Sequence, residues 1–211
     1  MSVVVRDLGA HVPYLQALAW QEASLATVAS GAEQDDTLFL LEHAPVYTLG
    51  RSADPAHVLA ARDPAIEVVT TNRGGDVTYH GPGQLVGYPI VSLRRRGLLV
   101  LEYLRLLEDV LIQTLAQFGI DGARDSRNRG VWVGECKIAA IGIRISRGVS
   151  MHGFALNVDP DMTHYAGIIP CGLAGVGVTS MRLQLGGAVP MDEVKREIAR
   201  TFRAVFDARR M

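Results

Sequence analysis

Long apolar runs are missing from this chain. No stretch approaches the ~20 residues needed to cross a bilayer. The opening Met1-Ser2-Val3-Val4-Val5-Arg6-Asp7 lacks the basic region and apolar run of a secretory signal. Cysteine is scarce: Cys136 and Cys171 are the only two in 211 residues, too few for a disulfide scaffold. No CxxC or HxxxH spacing occurs, which disfavours a structural zinc site. A reducing, cytoplasmic setting is expected. An excess of charge is also missing. The net charge of −1 gives no broad attraction to nucleic acid or to an anionic membrane, and neither is expected as a partner. The cluster Arg94-Arg95-Arg96, set between apolar stretches, reads as a solvated loop. GxGxxG and GxxxxGK(S/T) are absent, against a dinucleotide fold or a P-loop.

What is present has the balance of a globular protein: 48% hydrophobic and 20% charged residues. The length suits one domain over residues 1–211. Pro13 to about Ser30 reads as a helix, with Leu15, Leu18, Ala19, Leu25 and Val28 near one face and Gly31 ending it. Thr37–Glu42, Val46–Leu49 and Ile66–Thr71 read as strands. Gln84–Val91 is a further strand, and Pro89 places itself at an edge or near the end of it. Leu101, Leu104, Leu107, Leu111, Leu115 and Phe118 recur at helical spacing before Gly119. Val131–Val133, Lys137–Ile145 and Ser150–Val158 form a meander, and Met191–Phe206 is a closing helix. Helices and strands intersperse without strict alternation. The expected class is α+β, with a mixed, largely antiparallel sheet flanked by helices.

Three features carry chemistry. The run Arg73-Gly74-Gly75-Asp76-Val77-Thr78-Tyr79-His80-Gly81-Pro82-Gly83-Gln84 combines backbone freedom with polar side chains, as a ligand-binding loop or a plain hairpin would. Cys171 stands between Pro170 and Gly172 in a loop. Pro170 fixes the local backbone, and the Gly172 N–H is available to an oxyanion. That setting suits a presented thiol. Lys137 opens an otherwise apolar strand, either snorkelling or facing a site, and in the second case Cys136 faces away. A nearby ammonium favours the thiolate of a cysteine, whose ordinary pKa is about 8.5.

Together these motifs resemble the lipoyl(octanoyl) transferases, the octanoyl-acyl carrier protein:protein N-octanoyltransferases. The resemblance lies in Glu42 to Gly50, Arg73 to Gln84, Lys137 to Gly142, His152 to Asn157 and Pro170-Cys171-Gly172, in that order. Asn72 departs from the aspartate that many members carry. The resemblance implies the biotin/lipoate protein ligase catalytic-domain fold over a single catalytic domain. It implies transfer of an octanoyl or lipoyl group from acyl carrier protein through an acyl-cysteine. The acceptors would be lipoyl domains of 2-oxoacid dehydrogenase acyltransferase subunits and the glycine cleavage H protein. Cys171 carries over as nucleophile and Lys137 as its activator. Arg73, Gly74, Gly75, Asp76, Val77, Thr78, Tyr79, His80, Ala140, Ile141, Gly142, Gly153, Phe154 and Ala155 carry over as the substrate-binding segments. No cofactor is implied, because a thioester donor is already activated. Two alternatives remain at this point: an ATP-dependent lipoate or biotin ligase of the same fold, and a non-catalytic acyl-binding protein. The sequence marks no obvious docking patch for the acidic carrier protein.

Overall fold

The computed structural model describes residues 2–169 and 176–208. In chain order its elements are β1 (Val3–Asp7), α1 (Tyr14–Ser30), β2 (Asp36–Leu41), β3 (Val46–Leu49), β4 (Glu67–Thr70), β5 (Val77–His80), β6 (Gln84–Ile90), α2 (Leu93–Arg96), α3 (Val100–Gln117), β7 (Gly130–Val133), β8 (Cys136–Ser146), β9 (Val149–Asn157), β10 (Gly177–Val178), α4 (Met181–Leu185) and α5 (Met191–Asp207). Seven strands form one sheet in the order β1-β2-β6-β9-β8-β10, with β7 also paired to β8. Strands β4, β3 and β5 form a second, smaller sheet. Most pairings are antiparallel; β1 with β2, β8 with β10 and β3 with β4 are parallel. The fold is thus the expected mixed α+β arrangement.

Alternation along the strands gives the large sheet two buried faces. Leu38 and Leu40 turn toward Tyr103, Leu107, Leu111, Phe202 and Phe206 of α3 and α5. Phe39 and Leu41 turn the other way, toward Ala17, Leu25 and Val28 of α1. The small sheet has its own apolar cluster of Tyr47, Ile66, Val77, Tyr79, Tyr165 and Ile168.

The helical faces differ in detail from expectation. The buried side of α1 is Tyr14, Ala17, Gln21, Leu25 and Val28, while Leu15 is 58% exposed. Along α3, Tyr103, Leu107, Val110 and Leu111 are buried, whereas Leu101 faces solvent. Pro89 lies near the end of β6, paired with Leu38, although β6 is an interior strand. The Arg94–Arg96 cluster is not a solvated loop. It forms α2, and Arg96 is buried in an ion pair with Asp36 while its Nη1 donates to Phe206 O at 2.7 Å. At Nε and Nη1 the carboxylate and the carbonyl replace the water lost on burial. The strand β1 carries no strong alternation in its sequence and owes its place to parallel pairing with β2.

Candidate functional site

The run that begins at Arg73 is neither all loop nor a simple hairpin. Its middle, Val77–His80, is strand β5, paired antiparallel with β3 so that Thr48 faces Thr78 and Val46 faces His80. Alternation then divides its side chains. Thr78 and His80 turn to one side and line a cavity with about 540 Å³ of empty space. Val77 borders it as well, although its side chain joins the Tyr47 cluster on the far side. Tyr79 joins that cluster too and does not line the cavity.

The floor of the cavity is laid by β8 and β9. Ala140, Ile141 and Gly142 pair with Ala155, Phe154 and Gly153, and all six line the cavity. Arg73, Gly74, Gly75 and Asp76 close it from the glycine run. Asp76 is committed locally: its Oδ2 accepts from His57 Nδ1 and its Oδ1 from Val77 N, both at 2.7 Å. Arg73 is buried at 8% exposure, with Nη2 donating to Thr48 O at 2.7 Å and to Thr48 Oγ1 at 2.9 Å. The guanidinium therefore ties the run to β3.

Lys137 reaches the same cavity through a bulge. Val131 pairs with Ala139 and Trp132 with Lys137, so Ile138 is the extra residue. A bulge shifts the alternation by one and re-aims the side chains on one side of it. Ile138 and Ala139 both enter the core, and Lys137 lines the cavity with Ala140 and Gly142. Lys137 is 6% exposed, with Nζ 5.4 Å from the Trp132 ring centre, so it is not a snorkelling residue. Gly130 makes room for it: a Cβ there would lie 2.8 Å from Lys137 Cε and 2.2 Å from Ala139 O. Cys136 does not line the cavity.

The rest of the wall contains groups that the sequence reading did not single out: Tyr14, Tyr88, Asn128 and, next to the floor on β9, His152. Tyr88 follows Val86 at strand spacing on the α1 side of β6, a signal that was available. Tyr14 gives none. Hydrogen bonds assign the tautomers. His43 Nδ1 donates to Val12 O at 2.9 Å, so its Nε2 accepts from Tyr88 OH at 2.7 Å. His80 Nδ1 donates to Gln84 Oε1 at 2.7 Å, and Gln84 Nε2 in turn donates to Asn157 Oδ1 at 2.9 Å. His152 Nε2 donates to Asn72 Oδ1 at 2.8 Å, where an aspartate would make the same contact with a charge. His152 holds a positive φ of 56° inside β9, a conformation costly for a residue with a Cβ.

Burial keeps these imidazoles neutral. It holds His43 at about 4. It pushes His80 well below the ordinary value, helped by His43 and Arg73. It lowers His152 to about 3, again with Arg73 adding to the effect. Near neutral pH the wall offers hydrogen-bonding edges without imidazolium charge.

Cys171, with Pro170 and Gly172, lies outside the described residues. The chain on either side is described. Ile169 N donates to His57 O at 2.8 Å, and Gly177 and Val178 pair in parallel with Cys136 and Lys137. No cluster of side chains able to hold a metal ion occurs among the described residues. No helix among them is long and apolar enough to cross a membrane.

With this geometry in place, the chain can be compared with known proteins. Residues 13–203 match the family described as the lipoyl protein ligase A/B catalytic domain. An octanoyltransferase of Gloeobacter violaceus is 53% identical over 196 residues, covering 92% of this chain and 86% of the relative. One from Geobacter metallireducens is 46% identical over 207 residues, covering 98% and 95%. Among solved structures, lipoate-protein ligase A bound with ATP superposes with a TM-score of 0.77 at 16% identity, over 98% of this chain and 85% of that one. A biotin protein ligase from Aquifex aeolicus gives 0.54 at 10% identity, over 99% and 70%. These structural likenesses concern the fold alone.

Proposed function

The chain belongs to the lipoyl protein ligase A/B catalytic-domain family, and from that premise we propose that residues 1–211 form a single cytoplasmic catalytic domain that works through an acyl-Cys171 intermediate. It is an acyltransferase of protein lipoylation, transferring octanoyl groups as its relatives' name states. The donor is octanoyl-acyl carrier protein. The acceptor is a lysine of a lipoyl domain, in 2-oxoacid dehydrogenase complexes or the glycine cleavage H protein.

The observation that carries this reading is a buried Lys137 opening onto a cavity floored by Ala140, Ile141, Gly142, Gly153, Phe154 and Ala155. An aliphatic chain suits that floor. Burying its seven methylene and methyl carbons, at ~0.8 kcal/mol each, contributes about 5–6 kcal/mol before ordering costs. Both described flanks of the Cys171 segment meet the site: Ile169 through His57, and Val178 beside Lys137.

In the first step the Cys171 thiolate attacks the donor carbonyl, a new thioester forms, and the carrier leaves as a thiolate that takes the proton of the Lys137 ammonium, leaving Lys137 a neutral amine. In the second, the neutral amine of the acceptor lysine attacks that thioester. An amide forms, the Cys171 thiolate leaves, and the amine's proton passes to Lys137. Lys137 favours the thiolate in the resting enzyme and serves as proton acceptor afterwards. The donor is already a thioester, so no nucleotide or cofactor enters.

Mass spectrometry tests this. After mixing with octanoyl-acyl carrier protein, the chain should gain one octanoyl group, lost in Cys171→Ala. A strict requirement for ATP would assign it instead to adenylate chemistry. No adduct under any condition would leave it a binding protein.

A further inference from the structure

A second cleft, open to solvent, adjoins the proposed acyl cavity. Arg51 and Arg144 line it, together with Asn72, Gly74, Val100, Ile143 and Ile145. Gly74 borders both spaces, and its N–H donates to Ile143 O at 2.9 Å. Strand β8 runs from Gly142 in the cavity directly into the cleft. No carboxylate lines the cleft among the described residues, and the ion pairs among them involve neither Arg51 nor Arg144. Val100, which lines it, and its chain neighbours Leu99 and Leu101 are 48%, 71% and 45% exposed. Three consecutive exposed apolar residues are a liability unless something covers them. Glu102, on the same turn, is occupied at the helix start, where its Oε2 accepts from Leu99 N at 2.9 Å.

We propose that this cleft docks the protein that delivers the acyl group, through carboxylates set against Arg51 and Arg144 and apolar side chains laid over Leu99, Val100 and Leu101. The inference rests on the protein-borne donor of the preceding section. The wall shared at Gly74 is its geometric reason: a partner seated in the cleft holds its acyl arm next to the cavity. Charges at an exposed or half-buried surface act mainly on encounter, and salt screens them over about 8 Å at physiological ionic strength.

The test is acyl-enzyme formation without acceptor, comparing octanoyl-acyl carrier protein with octanoyl-pantetheine, a neutral donor with no protein. In the double variant Arg51→Glu, Arg144→Glu, kcat/KM for the carrier donor should fall roughly tenfold or more at low salt. The gap should narrow as salt rises, and the octanoyl-pantetheine rate should hold, which also reports an intact fold. Equal loss with both donors, or no loss with either, overturns the proposal. So does a defect confined to transfer from the acyl-enzyme to a lipoyl domain, which would give the cleft to the acceptor. A wild-type enzyme that takes octanoyl from pantetheine but never from the carrier protein sinks the donor reading and this proposal with it.

Discussion

The two sides of the cavity are built on opposite plans. The floor is shaped largely by leaving side chains out. A Cβ on Gly153 would lie 2.2 Å from Gly87 O, and one on Gly142 would lie 2.8 Å from Gly74 O, so the backbones meet directly. The wall is made of large polar groups whose hydrogen bonds are largely spent within the protein: Tyr88 on His43 behind it, His80 on Gln84, Arg73 on Thr48. The floor excludes water by closeness, and the wall limits charge by burial. Neither side offers an imidazolium, and the Arg73 guanidinium is held against Thr48.

Lys137 stands at the junction and follows neither plan, so its removal should have the largest effect. Lys137→Ala should lower the rate of acyl-enzyme formation by ~10²–10⁴ near neutral pH. Part of that loss should return as pH passes the ordinary thiol value of about 8.5. Quenched-reaction mass spectrometry reads both, and an unchanged rate would remove Lys137 from the chemistry.

Acid should then break the wall before the floor. His43 and His152 titrate in the folded protein at about 4 and about 3, below the ~6.5 of an unfolded chain. Below pH ~6.5 the unfolded state therefore binds more protons, and stability falls as pH drops. The contribution is fully present above ~6.5 and is lost on the way down to the folded values, with a slope of at most ~1.4 kcal/mol per pH unit for each histidine. Urea titrations at pH 7, 6 and 5 measure it; a flat profile would mean these imidazoles are not held neutral.

The floor is best probed by adding a methyl group. Gly153→Ala should cost ~1–3 kcal/mol through overpacking against Gly87 and Pro89, seen as a lower urea midpoint. An unchanged midpoint would show that β6 and β9 can separate freely. Thr48→Val, which removes one acceptor from Arg73 while Thr48 O remains, should have the smallest effect, about 1 kcal/mol. A larger loss would make Thr48 Oγ1 the main support of the guanidinium.

Local periodicity made much of this legible. β3 falls where its residues predict it, and α3, β8 and β9 lie within a residue or two. The strands pair as a meander because their alternation and turns are local signals. The floor residues could likewise be carried over from motifs. What stayed hidden depends on distant partners. Strand β5 inside a glycine-rich run is defined by β3, and β1 by β2. The bulge at Ile138, which decides where Lys137 points, comes from the register with β7. Tyr79 belongs to the Tyr47 cluster because strand alternation runs through a stretch that reads as a loop. Arg96 looked like surface because its partners, Asp36 and Phe206, are 60 and 110 residues away.

That last junction has a consequence in time. Asp36 accepts from Ser92 N at 3.0 Å and pairs with Arg96, and Arg96 donates to a carbonyl in the final turn of α5. During synthesis the first two emerge long before the third. The guanidinium lacks this acceptor until residue 206 has cleared the ribosome, so the sheet closes against its last helix only after every strand of the large sheet has been made.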